Sequence, residues 1–251
     1  MRIGFIGTGE IAGYMVRGLA GRGHQIRVSA RNAQKAAALA KEVAGVEVAE
    51  NAEIVARSDV VFLCLMAGVA RDVLPTLPFR ADQAVVSVMT DMPLAALHEL
   101  CAPAVDIACT IPLSAIATGG GSMLPVYPQS AALEALFGQT DTLVPVASEA
   151  ALNAHFGGSA LSAPLIALMQ TGAAWLARQT GDKQAAESYV AGVFAGFLRQ
   201  MQETGADFET LLQGLATEGG LNASLKAHMA QAGAHDALTD GLDALKLRLG
   251  L

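Results

Sequence analysis

Three cysteines in 251 residues, Cys64, Cys101 and Cys109, never stand in CxxC spacing. That scarcity excludes a disulfide scaffold and a zinc-ribbon framework, and reduced, buried thiols in a cytoplasmic protein are expected. His, Cys, Asp and Glu show no metal-ligand spacing, so no metal site is expected. No basic tract exists, and a net charge of −7 makes nucleic acid a poor partner. The N-terminus lacks a charged start followed by an apolar run, so no secretory leader is expected. Continuous apolar runs are short as well. The most apolar stretch, residues 160–177, is interrupted by Pro164, Gln170, Thr171 and Gly172. It falls short of the roughly 20 continuous residues of a membrane span, so a buried helix and no membrane partner are expected.

What is present is aliphatic. Hydrophobic residues make up 53% of the chain and aromatic ones 5%, which allows a large core of Ala, Leu, Val and Ile. Charge is uneven: residues 1–80 carry ten Lys/Arg against seven Asp/Glu, and the remainder six against sixteen. A slightly basic first third suits a small anionic ligand.

Short apolar runs at 2–7, 25–30, 59–65, 84–88, 105–110, 123–127 and 142–146 read as strands. Helical patterns fill 10–21, 32–43, 51–57, 93–100 and 129–138. Strands alternating with helices predict crossover units on a mostly parallel sheet. Beyond Ser148 only helical periodicity remains. The expected class is α/β, with a Rossmann-type dinucleotide-binding domain at 1–148 and an all-helical substrate and dimerisation domain at 149–251.

The first chemical signal is Gly7-Thr8-Gly9-Glu10-Ile11-Ala12, a G-x-G-x-x-A run between a strand and a helix. Gly7 permits the tight turn, Gly9 lets a pyrophosphate approach the backbone, and Ala12 lets helix and strand pack closely. The helix N-terminus offers free N–H donors and a positive dipole end. Glu10, beside those donors, is expected to point to solvent. An NAD site usually carries an acid about 20 residues further on, to hold the ribose 2′-hydroxyl. Here the second strand ends in Ser29, Ala30, Arg31 and Asn32. A missing acid and a present Arg favour NADP, because Arg31 and Ser29 can bond a 2′-phosphate that an acid would repel.

A second signal lies far from the first. In "GLATEGGLNASL" a Thr-Glu-Gly-Gly turn interrupts a helical pattern. Two glycines can bring backbone N–H groups to a small anion. The same residues also serve as a helix stop, with Asn222 or Ser224 capping the next helix.

With these residues the chain resembles the pyrroline-5-carboxylate reductases over nearly its whole length. "GFIGTGEIAGYMVRGL" is similar to that family's opening and "VSARN" to its NADP-binding strand end. "AENAEIVARSDVVFLCL" resembles the helix and strand that follow, and "SEAALNAHFGGSALSAPLIALM" the entry to its helical domain. "ATEGGLNASL" falls where the family carries Ser/Thr-Pro-Gly-Gly-Thr-Thr. The resemblance implies cofactor contacts from Asn51 and from Leu65, Met66 and Ala67 after the fourth strand. It implies a loop, Thr217, Glu218, Gly219, Gly220, Leu221 and Asn222, that approaches the nicotinamide and holds a small-molecule substrate. It also implies interwound subunits, a homodimer or a larger assembly of dimers.

The departures fall on the substrate side. The family's loop proline is Glu218, and its two threonines are Leu221 and Asn222. Its Lys-Pro pair is Met66-Ala67, its Met-Pro-Asn is Ile111-Pro112-Leu113, and the Arg just before aligns with Cys109. The family's helix glutamate has no counterpart around Thr171 and Gly172. The expected activity is NADPH-dependent reduction of a C=N bond in a small, cyclic imine other than the usual substrate, with no catalytic acid or base identified. A β-hydroxyacid dehydrogenase would need a lysine on the interdomain helix, and none lies between Lys41 and Lys183. A metabolite or redox sensor that binds NADP without turnover is the reading from another class.

Overall fold

The strand Arg2–Ile6 (β1) carries Ile3, Phe5 and Ile6 with no exposed surface. A strand apolar on both faces must be covered on both, and parallel crossover units provide that cover. In the computed structural model, which describes residues 1–251, β1 is joined by Gln25–Ser29 (β2), Val46–Ala49 (β3), Val60–Leu63 (β4) and Ala84–Ser87 (β5). Asp106–Thr110 (β6), Met123–Tyr127 (β7) and Thr142–Pro145 (β8) complete one sheet in the order β3-β2-β1-β4-β5-β6-β7-β8. Every neighbouring pair is parallel except β6 with β7. The strand order reverses between β1 and β4. A crevice at the carboxyl ends of those strands is where such sheets bind ligands.

The helices of this unit are Glu10–Leu19 (α1), Ala33–Glu42 (α2), Asn51–Arg57 (α3), Ala67–Val73 (α4), Leu94–Leu100 (α5) and Ala131–Phe137 (α6). Ile3, Phe5, Val28 and Phe62 face one side of the sheet with Met15, Leu19 and Phe137. Ile6, Val61 and Leu63 face the other with Ile54, Leu74 and Leu97. Phe5 stacks on Phe62 at a centroid distance of 4.8 Å, and Phe137 meets Phe62 edge-on at 6.4 Å. Each such fully buried side chain contributes about 1.5–3 kcal/mol. Gly4 is fixed by packing: a Cβ there would lie 2.4 Å from Ile54 Cγ2. The open carbonyls at the end of α3 are capped from a distance. Arg80 Nη1 donates to Val55 and Ala56 O, and Gln83 Nε2 to Val55 and Ser58 O, at 2.6–3.1 Å.

The structure adds β3 and α4 to the expected elements. It also divides the chain differently. One compact unit comprises Met1–Phe156 with Arg248–Leu251, and the second Gly157–Leu247. The boundary moves past Ser148 because Leu152 and Phe156, on helix Glu149–Ser159 (α7), pack in the core of the first unit.

The second unit holds Ser162–Thr180 (α8), Lys183–Thr204 (α9), Phe208–Leu215 (α10) and Leu221–Gln231 (α11), and most of Ala234–Leu249 (α12). Left-handed glycines end two of these helices, Gly181 after α8 and Gly205 after α9. Asp182 and Asp207 start the next, accepting from Ala185 N at 2.9 Å and Thr210 N at 2.8 Å. The buried helix expected at 160–177 is not found within this chain. Ala173 is the buried residue of α8, whereas Ile166 is 62% and Trp175 58% exposed. The reason is geometric: a hairpin of two long helices cannot cover apolar residues on more than one face of each. The run Glu149–Thr180 has the length and apolarity to cross a membrane. It breaks at residues 160–161 into α7 and α8, and α8 carries Gln170, Thr171 and Arg178.

Candidate functional site: a glycine loop at the strand-order reversal

The turn from β1 into α1 sits at the reversal point. Gly7 has φ +97°, and a Cβ there would lie 2.3 Å from the Cys64 carbonyl oxygen and 3.0 Å from Leu65 Cδ2. Only glycine lets β1 leave the sheet this close to the end of β4. Gly9 differs: a Cβ on it would meet nothing within 4 Å, so the space above its backbone is open. Gly9 caps α1 without any side chain, which leaves the N–H groups of the first turn, Glu10, Ile11 and Ala12, facing that space. Ala12 is fully buried against the sheet.

The second strand ends beside this turn. Thr8 Oγ1 donates to Ser29 O at 2.5 Å, tying the glycine loop to the tip of β2. Ser29 is buried, and its hydroxyl donates to Asn51 Oδ1 at 2.7 Å. The Ser29 hydroxyl thereby positions the Asn51 side chain beside the glycine loop. Arg31 is exposed and takes part in no ion pair. Asn32 caps α2, its Oδ1 accepting from Lys35 N at 3.2 Å.

Two cations that the sequence reading passed over line a cavity of about 120 Å³ with Thr8, Gly9, Glu10 and Gly13: Arg17 and Lys35. Both are already paired. Arg17 grips Glu42 through Nε at 2.7 Å and Nη2 at 2.8 Å, and Lys35 Nζ lies 2.5 Å from Glu10 Oε1. The hydrogen bond from Lys35 and its charge hold the Glu10 carboxyl below the usual range. Glu10 therefore leans onto Lys35 instead of standing alone in solvent. The signal that could have found Lys35 is its place three residues after a helix cap at the end of β2.

Beyond β4, Met66 is 79% exposed and caps α4, and Ala67 opens that helix. Leu65 packs beside Gly7, so Leu65, Met66 and Ala67 form the far rim of the same crevice. At the end of β6, Thr110 Oγ1 is buried without a partner. Burial pushes the thiols of Cys64, Cys101 and Cys109 up to about 12, so none is a nucleophile at neutral pH. All three are free, in line with the reduced thiols expected.

In the helical unit the Ala216–Gly220 turn separates α10 from α11. Gly219 has φ +74°, and Gly220 N donates to Thr217 O at 3.0 Å. Asn222 Nδ2 donates back to Leu215 O at 3.2 Å, so its amide closes the end of α10 rather than capping α11. Thr217 and Glu218 form the exposed face of the turn, and Leu221 is 91% exposed.

The class defined by this fold is an α/β protein with a Rossmann-type unit and a helical region. Residues 2–91 match the family model described as NADP oxidoreductase, coenzyme F420-dependent. A pyrroline-5-carboxylate reductase of Pseudomonas aeruginosa is 38% identical over 104 residues, an alignment spanning 39% of this chain and 37% of that relative. The crystal structure of 1-pyrroline-5-carboxylate reductase from Streptococcus pyogenes aligns with a TM-score of 0.84 at 17% identity, over 100% of this chain and 99% of that one. Pyrroline carboxylate reductase of Plasmodium falciparum, solved with NADP bound, aligns at 0.80 and 12% identity, over 97% and 95%. The fold is that of the pyrroline-5-carboxylate reductases.

Proposed function

We propose that this chain belongs to the pyrroline-5-carboxylate reductase family and is an NADPH-dependent reductase of a C=N bond in a small imine. The observation that carries the reading is the glycine loop. Gly7 is the only residue type its backbone and the Cys64 carbonyl tolerate, and open space stands over Gly9 and the uncapped start of α1. The cradle fits a dinucleotide pyrophosphate, and the likeness to an NADP-bound structure supports the choice of cofactor.

When bound, NADPH supplies the hydride. The protein's own residues do the rest. The N–H groups after Gly9 would hold the pyrophosphate, and Arg31, which is in no ion pair, would meet the 2′-phosphate. Asn51, oriented by Ser29, keeps its amide N–H₂ for the ribose side. Leu65 and Met66 give an apolar rim that excludes water from the reacting face. A protonated imine is already electrophilic, so positioning against the cofactor suffices without a strong acid. Within the helical unit, the loop from Thr217 to Asn222 is the candidate to hold the substrate, through the Gly219 N–H, since the Gly220 N–H already donates to Thr217 O.

The substrate differs from pyrroline-5-carboxylate in this reading, because Leu221 and Asn222 replace two hydroxyls and Leu113 replaces an amide. Sites that lose hydrogen-bonding groups handle the original polar substrate poorly. We further propose a homodimer, or an assembly of dimers, built on the exposed apolar faces of α8 and α9.

The decisive experiment follows NADPH oxidation against cyclic imines, pyrroline-5-carboxylate and keto acids. Turnover of a cyclic imine supports the reading, and NADPH binding with no turnover on any of them favours a sensor. Arg31→Ala should weaken NADPH about tenfold and NADH little. Equal losses would overturn the 2′-phosphate assignment.

A further inference from the structure

The proposed cofactor site contains an ion pair that sets two opposite charges against each other where a phosphate would enter. Glu10 is the first residue of α1 and Lys35 lies in the first turn of α2. Their side chains meet at 2.5 Å across the mouth of the cavity that Thr8 and Gly9 line. Both remain well exposed, 66% for the Glu10 side chain and 48% for that of Lys35. The helix that holds Lys35 starts directly after the tip of β2, the place where a Rossmann fold decides between a ribose 2′-hydroxyl and a 2′-phosphate.

We propose that Glu10 sets cofactor discrimination by restraining Lys35: the Glu10 carboxylate and a 2′-phosphate compete for the same ammonium. The inference rests on the dinucleotide-binding reading above. The ammonium has donors for both anions, but a carboxylate and a phosphate held against the same lysine repel each other, so binding of a 2′-phosphorylated cofactor favours turning the Lys35 side chain from Glu10. A cofactor without that phosphate leaves the pair intact. Arg17, the other cation in the cavity, is held in a two-point grip by Glu42 and is not free to replace Lys35. The residue that an NAD site would use to reject a 2′-phosphate is missing from the end of β2. Here part of that rejection comes from a carboxylate on the neighbouring helix, acting through a lysine.

The competition has a signature that simple repulsion lacks. If Glu10 only repelled phosphate, replacing it would help every dinucleotide through the shared pyrophosphate. If it restrains Lys35, the gain falls on the 2′-phosphorylated cofactor and vanishes when Lys35 is gone. The test is titration calorimetry of NADPH and NADH against the full chain, Glu10→Gln, Lys35→Gln and the double variant, with circular dichroism to show that each folds. Glu10→Gln should raise the ratio of NADPH to NADH affinity about fivefold, the scale of one exposed ion pair. In the Lys35→Gln background the same change should leave the ratio within about twofold. Equal tightening of both cofactors, or an unchanged ratio in Glu10→Gln, would overturn the inference while leaving dinucleotide binding intact. Failure of the unaltered chain to bind either dinucleotide would instead remove the reading beneath it, and the inference with it.

Discussion

Arg248 closes on Asp91 across 157 residues of sequence, with Nη2 2.9 Å from Oδ2 and Nε 3.2 and 3.3 Å from the two carboxylate oxygens. Three residues along the same loop, Leu94 N donates to Glu149 Oε1 at 2.6 Å. One short segment after β5 thus receives both a residue that precedes the helical unit and one that follows it. Glu149→Ala should leave the Leu94 amide, at the uncapped start of α5, open to solvent. Amide hydrogen exchange at residues 90–97 should then speed up about tenfold, for a charge-assisted bond of roughly 1.5 kcal/mol. Arg248→Ala should quicken exchange at residues 90–92. Unchanged protection in both variants would mean that neither contact holds the loop in solution.

The two glycines of the turn between β1 and α1 should separate structural from binding roles. Gly7→Ala forces a left-handed φ and a clash with the Cys64 carbonyl, so it should destabilise the fold by about 2–4 kcal/mol. Gly9→Ala meets nothing, and its φ of −91° suits alanine, so its melting temperature should stay within about 2 °C of the parent. Its Cβ nevertheless enters the space assigned to the pyrophosphate, and NADPH affinity should fall at least tenfold. Thermal melts and cofactor titration of the two variants check both halves.

Asp59 is the carboxylate to follow with pH. Its oxygens accept from Arg2 Nε and from Arg2 N, each at 3.0 Å, and the Arg2 side chain holds its pKa below the ordinary value. A carboxylate with a lowered folded pKa stabilises the protein above its unfolded pKa, near 3.9. That contribution is lost as the pH falls through the folded value. Asp59→Asn should therefore lower the melting temperature by about 2 °C at pH 7, a small effect because the pair is solvent-screened. The gap should close below about pH 4. A gap that is constant down to pH 2.5 would show that the charge of Asp59 is not its cause.

The apolar faces of α8 and α9 predict self-association. Ile166, Trp175, Phe194 and Leu198 are each about half exposed or more in a single chain. Sedimentation velocity at micromolar concentration should give at least twice the chain mass. Ile166→Arg should shift the population toward monomer, since a charge buried at such an interface costs several kcal/mol. A stable monomer of the unaltered chain would sink the proposal.

How much of this was legible depends on how local each signal is. The glycine loop was readable because strand, turn and helix start are contiguous and each glycine has its own steric reason. β3 escaped notice because it is four residues long at the sheet edge, with Glu47 and Val48 exposed. α4 has no side-chain cap to announce its start. The helix break at residues 216–220 was visible in Gly219 and Gly220, but not the partner of Asn222, whose amide reaches seven residues back to Leu215. Ser29 with Asn51 and Glu10 with Lys35 lie 22 and 25 residues apart, so only the folded crevice brings them together. The apolar stretch at 160–177 was read correctly in composition, yet Ile166 and Trp175 stand exposed in the single chain, because composition fixes how much apolar surface there is and not what lies against it.

The return of Arg248–Leu251 to the first unit has a consequence for how the chain is made. Arg248, which grips Asp91, and the buried Leu249 both belong to that unit, so it lacks them until the whole of Gly157–Leu247 has been synthesised. Domains emerging from a ribosome ordinarily fold in order, N-terminal first. Here the helices of Gly157–Leu247 appear before Arg248 can reach Asp91. The nascent first unit passes through translation with Asp91 unpaired, an interval in which the α8–α9 hairpin already presents exposed apolar side chains.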